Sequence, residues 1–316
     1  MRWRHWAKGS VLPIAHGVGL FSLLRAMDAG HRRVALNYHN VDPGLFRRHV
    51  DLLATLARVV SLESLLDGPG RGGVEVALTF DDGYRTFVDE ILPTLVERGL
   101  PATWFVPTAH VGTDDIFWFD RVRAAVLHAR TRGGLVVAGH EWALFDWNRE
   151  YVAAGITRIL KAMPVHERNG TVDDLLREIG AAPEVVLRRL VSATREQLRA
   201  LPALITVGSH SDTHPQLSQL DEASLRQELS LSRSHLEQWT DRAVRHFAYP
   251  SGDFDERVVN MVRATGYESA WTTEPRFIAV EDRYRMPRVA IDDHAPLSVL
   301  SAKLTFWVNR LPVIRA

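Results

Sequence analysis

Val74-Glu75-Val76-Ala77-Leu78-Thr79-Phe80 is a mostly apolar run that stops at Asp81-Asp82-Gly83. A short apolar run bounded by a turn signal reads as a buried strand. Two adjacent carboxylates then stand at its end. Ionised neighbours repel, so the pair is costly unless a cation or a proton sits between them. Downstream, Ser209-His210-Ser211-Asp212-Thr213-His214 places two imidazoles four positions apart, after a second apolar run, Leu204-Ile205-Thr206-Val207-Gly208. One Asp with two His makes a facial metal triad that leaves positions open for water and substrate. The remaining carboxylate is then available as a base on that water.

Other segments extend this pattern. Arg33–Tyr38 reads as a first strand, with a turn over His39–Pro43 and a helix over Phe46–Leu56. An amphipathic helix through Phe87, Ile91, Leu92, Leu95 and Val96 ends at Arg98-Gly99. Ala102–Val106, His246–Tyr249, Ser269–Thr272 and Met286–Ile291 are further strands, and helices are expected around Leu217–Leu236 and Val258–Val262. Strand and helix alternate with short links, which predicts an α/β fold with a parallel sheet. About seven strands carry polar groups at their C-terminal ends, the arrangement of a distorted β/α barrel with its site at that mouth.

The rhythm breaks between about residues 107 and 202. Helical patterns dominate there, a capping box is spelled by Thr194 and Gln197, and Gly133-Gly134 and Asn169-Gly170 are the expected turns. This region is read as a mainly helical insertion within a barrel spanning 34–296, not as a separate globular domain, and as a candidate lid or substrate-recognition element.

Bulk composition excludes several classes. The chain has 316 residues, 46% apolar and 24% charged, as expected for a globular protein. Lys plus Arg and Asp plus Glu are each 38, so the net charge is zero, which argues against a dedicated nucleic-acid binder. There is no cysteine, so disulfides and thiolate metal sites are excluded. The ends are different. Segment 1–33 is basic and amphipathic, and tail 297–316 pairs Lys303, Arg310 and Arg315 with Phe306, Trp307 and Val308. Such ends suit peripheral contact with an anionic membrane surface, or helices packed on the domain. The run Val11–Leu24 is too short and interrupted to span a bilayer and shows no convincing signal-peptide cleavage site. The expected location is cytoplasmic or membrane-peripheral.

Taken in order, Thr79-Phe80-Asp81-Asp82-Gly83, Ser209-His210-Ser211-Asp212-Thr213-His214-Pro215 and Phe247-Ala248-Tyr249-Pro250-Ser251-Gly252 resemble the polysaccharide deacetylases, the NodB-homology family or carbohydrate esterase family 4. Tyr38-His39-Asn40-Val41 resembles the opening strand of the branch acting on exopolysaccharides. The resemblance implies hydrolysis of an N-acetyl, sometimes O-acetyl, group from a sugar of an acetylated polysaccharide or oligosaccharide. It implies Asp82, His210 and His214 as ligands of a divalent metal, usually Zn2+, and Asp81 as general base. It places Tyr249, Pro250, Ser251 and Gly252 beside the substrate, with a backbone N–H near Ser251 or Gly252 helping to hold the oxyanion.

Two positions depart from the family pattern. Ala248 stands where an arginine often pairs with the base, so another group must orient Asp81, and Arg288 is the candidate. The family's histidine acid has no close match; His39 and His294 are both candidates. Tyr249 either walls the substrate or fills the core. Trp104, Trp118, Trp142 and Trp147 are the kind of ring that stacks on sugars, with core packing assigned to most of them. A small-amide amidohydrolase and a non-catalytic binding homologue stand as alternatives. Imidazole and carboxylate also accept cobalt, nickel or iron.

Overall fold

The computed structural model describes residues 32–68, 72–130, 133–279 and 281–304. Of segment 1–33 only Arg32 and Arg33 are described, and of tail 297–316 only 297–304, where Leu297–Lys303 is a helix with Val299, Leu300 and Ala302 buried; the rest of both ends, with their proposed membrane contact, lies outside the described residues. Among those described, no helix is long and apolar enough to cross a membrane.

Ten strands occur among the described residues: β1 (Arg32–Tyr38), β2 (Arg58–Val59), β3 (Val74–Phe80), β4 (Ala102–Val106), β5 (Gly133–Val137), β6 (His140–Leu144), β7 (Ile205–Ser209), β8 (His246–Ala248), β9 (Ser269–Trp271) and β10 (Val289–Ala290). Eight form one parallel sheet in the order β10-β1-β3-β4-β7-β8-β9, with β2 pairing with β3. Along β3, the first half pairs with β2 (Arg58 opposite Glu75) and the second half with β4 (Phe80 opposite Trp104). The sheet curls into a distorted β/α barrel. Its seam is closed by segment 286–290. Met286 donates to the Ala270 carbonyl (2.9 Å) and accepts from Thr272 N–H (2.8 Å), while Val289 and Ala290 pair with Leu36 and Asn37 of β1.

All seven residues of β3 are buried, which parallel strands covered on both faces require. Alternate residues divide between two cores. Val34, Leu36, Val76, Leu78, Trp104 and Phe247 pack outward under the helices. Ala35, Ala77, Phe105, Ala248, Trp271 and Met286 share a smaller inner cluster. Small residues alternate with large ones there because a tight barrel has little volume to fill. Gly208 is part of that fit: a Cβ at this position would overlap the Phe105 ring.

The helices follow their local signals. Asp42 caps Pro43–Leu56 by accepting from Leu45 N–H at 2.8 Å, with proline at the first helical position. A π-helical turn, Phe87–Ile91, runs into Leu92–Arg98, which ends at Gly99 with φ 61°. The capping box at Thr194 is present, with bonds of 3.0 and 3.2 Å to Gln197. Glu222–Thr240 and Glu256–Ala264 flank β8, each N-capped by an aspartate.

Between β4 and β7 the chain forms a second compact unit, Gly112–Ser192. It has its own apolar cluster, including Val122, Val126, Leu144, Ile156, Leu160, Val172 and Leu175. Helices Trp118–His128, Arg149–Lys161 and Val165–Ile179 supply most of it, and the antiparallel β5–β6 hairpin supplies the rest. The two expected turns are not found there. Gly133 and Gly134 lie in β5, and the reversal is made by Ala138 (φ 50°) and Gly139 (φ 75°). Asn169-Gly170 lies inside helix Val165–Ile179, where burial of Val172, Leu175 and Ile179 outweighs the local turn preference.

Candidate active site

Three strand-end loops of the barrel carry the site. β3 runs into Asp81, whose N–H donates to the Tyr38 carbonyl at 3.0 Å. The chain then turns through two left-handed residues, Asp82 (φ 68°) and Gly83 (φ 68°). A Cβ at Gly83 would lie 3.0 Å from Val106 Cγ1, so glycine suits both the angle and the space. β7 leads to Ser211 (φ 65°) and His214 (φ 58°), and β8 leads to Ser251 (φ 56°). Four of the six positive-φ non-glycine residues among the described residues therefore sit on these three loops. Backbone held in this sparsely populated region collects where a site needs side chains aimed in one direction.

Asp82, His210 and His214 converge. Their ligand atoms all lie within 4.8 Å of one another, and all three residues are buried. Asp82 Oδ1 is 3.5 Å from His210 Nε2 and 3.5 Å from His214 Nε2. That is too long for a good hydrogen bond. It matches two ligands at about 2.0–2.2 Å from one ion, which at a tetrahedral angle stand roughly 3.4 Å apart. His210 Nδ1 is 2.8 Å from the Ala248 carbonyl oxygen. A carbonyl can only accept, so Nδ1 carries the proton and Nε2 of the neutral ring offers its lone pair to the centre. Tyr84 donates its hydroxyl to Asp82 Oδ2 at 3.2 Å. The donor set, one carboxylate and two imidazoles, fits a borderline divalent cation such as zinc.

The histidine loop is held by Glu228, from helix Glu222–Thr240. Its carboxylate accepts from Asp212 N–H (2.9 Å), Thr213 N–H (2.8 Å) and the Thr213 hydroxyl (2.5 Å). Thr108 donates to the Asp212 side chain, and Ala109 N–H to the Asp212 carbonyl at 2.9 Å. The sequence reading missed Glu228, since a single glutamate on an amphipathic helix carries no local signal.

Asp81 lies beside the triad, with Oδ2 3.9 Å from His210 Nε2. Arg288 donates to both of its oxygens, Nη1 to Oδ1 at 2.7 Å and Nη2 to Oδ2 at 2.8 Å, and Asn37 Nδ2 donates to Oδ2 at 3.0 Å. The guanidinium is fully buried. Its Nε donates to the Thr272 carbonyl at 3.0 Å, and it lies 5.2 Å from the centre of the Phe105 ring. Burial pushes the Asp81 carboxyl up, but the charges of Arg288, His210 and His39 and the Arg288 hydrogen bonds outweigh it, and its pKa falls below the usual carboxylate value. Asp82 is shifted the same way: burial opposes, while the closely approaching His210 imidazole and the charges of His39 and His214 prevail.

The two candidate acids differ in setting. His39, half-buried at the end of β1, is lowered by burial but raised more by Asp82, Asp81 and Asp293, against Arg288, so its pKa lies above the ordinary value. His294 is exposed, in the turn after β10.

The third motif divides. Tyr249 is fully buried, its hydroxyl donates to the Tyr284 carbonyl at 2.8 Å, and its ring stacks on Phe254. It is a packing residue and not a substrate wall, because both ring and hydroxyl are already occupied. Pro250 is buried too, and Gly252 N–H donates to the Tyr249 carbonyl at 2.9 Å. Of this set, Ser251 is the exposed residue.

The comparisons with known proteins agree with this architecture. No curated protein sequence matches the chain. Among solved structures, a Streptococcus pyogenes deacetylase, PplD, in complex with acetate has a TM-score of 0.57 at 16% identity, covering 86% of this chain and 98% of that one. IcaB from Ammonifex degensii has a TM-score of 0.56 at 17% identity, covering 87% and 98%. A de-N-acetylase from Aggregatibacter actinomycetemcomitans has a TM-score of 0.53 at 16% identity, covering 86% and 99%. At these identities the likeness is one of fold. The sequence profile described as polysaccharide deacetylase matches residues 70–162 and 185–270, more than half of the chain. By that match, the chain belongs to the polysaccharide deacetylase family.

Proposed function

We propose that this chain is a metal-dependent polysaccharide N-deacetylase, hydrolysing the acetamide of N-acetylated sugars to acetate and a free amine. The observation that carries this reading is the pair of 3.5 Å separations between Asp82 Oδ1 and the two imidazole Nε2 atoms, with a second buried carboxylate alongside. Asp82, His210 and His214 would hold the cation. When bound, a divalent ion there polarises the acetyl carbonyl and acidifies a water.

The chain's own groups handle the protons. Asp81, kept ionised and fixed by Arg288, takes the proton of the attacking water. His39 is the better-placed acid for the departing amine, because it shares the electrostatic environment of Asp81 and Asp82, whereas His294 faces solvent. Zinc suits this donor set, and the substrate is an acetylated polysaccharide or oligosaccharide.

The test is acetate release from a panel of acetylated glycans, before chelation, after it, and after adding back zinc, cobalt, nickel or iron. The expected result is release that chelation stops and one of these metals restores. Release unaffected by chelation, or none from any acetylated sugar by metal-loaded protein, would overturn the reading.

A further inference from the structure

Large hydrophobic side chains are exposed at seven described positions: Val96, Val136, Phe145, Trp147, Tyr151, Val165 and Val185. Six of them belong to the inserted unit Gly112–Ser192. Three are aromatic and fall within one short stretch, with Phe145 43%, Trp147 83% and Tyr151 68% exposed. Trp104, by contrast, is fully buried. An exposed aromatic group of this kind on a monomer marks a recognition surface more often than a packing fault.

Phe145 and Trp147 are organised with respect to each other. Their rings are parallel to within 5°, with centroids 6.0 Å apart. The turn that carries them is fixed from below by Asn148. Its side chain accepts from Phe145 N–H at 2.8 Å and donates to the Ala143 carbonyl at 2.7 Å, and its own N–H donates to the Phe145 carbonyl at 3.1 Å. Arg149 ties the same turn to the helix Trp118–His128 by donating to the Val126 carbonyl at 2.7 Å. The backbone that carries the rings is therefore fixed before any ligand arrives, so binding does not have to order the turn.

The charges around the rings are paired. Asp146 binds Arg149 at 3.1 Å, and Glu150 binds Arg123 at 2.9 Å. A surface that docks on an anionic membrane carries unpaired cations beside its apolar groups. This one carries neutralised ion pairs, which offer hydrogen bonds without net charge. Flat aromatic faces with such a border suit a pyranose ring. Its C–H groups, carrying slight positive charge, lie against the electron-rich face of the indole, while its hydroxyls reach the polar border.

We propose that Trp147 and Phe145 form a glycan-binding platform on the inserted unit, a second point of attachment for a neutral, N-acetylated polysaccharide. The proposal rests on the reading of the substrate as a polysaccharide. A catalytic unit linked to a glycan-holding unit sees a higher local concentration of polymer, without any change in its chemistry.

The test is affinity gel electrophoresis through a soluble, fully N-acetylated and therefore neutral glucosamine polymer such as glycol chitin, using full-length Asp81→Asn protein so that the polymer is not consumed. Trp147→Ala should bind about tenfold more weakly, the loss of the main stacking ring, Trp147→Phe should retain part of the retardation, and Phe145→Ala should weaken it. Thermal unfolding of each variant checks that the turn is intact. Retardation of Trp147→Ala equal to that of its parent overturns the proposal. So does a loss confined to binding of phosphatidylglycerol vesicles, or to self-association in sedimentation, which would assign the rings to a membrane or to a second copy. Because the gel reads binding without turnover, a chain that releases no acetate at all would still give a clear answer here.

Discussion

Arg288 donates to both carboxylate oxygens of Asp81, at 2.7 and 2.8 Å, from a fully buried position more than two hundred residues away along the chain. A bidentate guanidinium both orients a carboxylate and keeps it ionised. Arg288→Lys loses the fork and is not a conservative change. Arg288→Ala leaves a buried carboxylate without its counter-charge, at a cost of about 3–5 kcal/mol. The Asp81 pKa should rise in either variant. A base works only when ionised, so activity is lost as pH falls through that value, and the acid limb of the pH–rate profile should move to higher pH. An unshifted limb would mean that Asp81 is not the titrating base.

Asp81→Asn should bind metal as the parent does and lose turnover by roughly 10²–10⁴-fold, the usual contribution of a positioned base. Elemental analysis and acetate release, measured on the same preparation, separate the two effects. Near-parental turnover would reassign the base.

His39 and His294 can be separated by pH. An acid must be protonated to serve a departing amine, so activity falls as pH rises through its pKa. Burial lowers the His39 pKa, but Asp82, Asp81 and Asp293 together raise it above its ordinary value. His39→Gln should therefore remove the alkaline limb and cost about 10²-fold or more in rate, while His294→Gln leaves the profile unchanged. The opposite pattern would transfer the role to His294.

Glu228 accepts three hydrogen bonds from Asp212 and Thr213, which lie between His210 and His214. Outer partners of this kind typically change metal affinity by about 10–100-fold. Glu228→Ala should lower affinity by that factor in competition with a chelator, with little change in metal-free thermal stability. Unchanged affinity would show that the loop holds its shape without the clamp.

At the opposite end of the barrel, Glu63 faces His246 Nε2 at 3.1 Å, and the His246 Nδ1 faces the Ser269 hydroxyl at 2.8 Å. The His246 hydrogen bond, acting against burial, lowers the Glu63 pKa to about 2. A depressed carboxyl pKa contributes stability above the unfolded value, and that contribution disappears as pH falls toward the folded one. Glu63→Gln should therefore flatten the loss of thermal stability between about pH 4.5 and pH 2. The check is calorimetry across that range; parallel curves for the two proteins would remove Glu63 from the account.

The barrel was legible because its strands are apolar runs and their turns use strong signals. β1, β3, β4, β7, β8 and β9 all fall where the hydrophobic pattern puts them. The two-residue β2 and the helix Leu62–Asp67 were not, since neither is long enough to show a period. The β5–β6 hairpin turns at Ala138-Gly139, which lacks the Asn-Gly or Asp-Gly signature, and the conspicuous Gly133-Gly134 drew the reading instead. In the site, adjacent carboxylates and spaced imidazoles are visible as residue types. Arg288 could be named as a partner of Asp81 only as a guess, and Glu228 could not be named at all, because such contacts depend on how strands and helices close in space. Tyr249 shows the converse, a motif residue whose side chain is spent on Tyr284 and Phe254.

The segment that joins β9 to β1 is also the one that delivers Arg288. Any breathing motion that parted Met286 from Ala270, or Val289 from Leu36, would carry the guanidinium away from Asp81 in the same movement. Partial opening of the barrel would thus silence the enzyme well before the rest of the fold gave way, so loss of activity on heating should run ahead of the loss of helix signal.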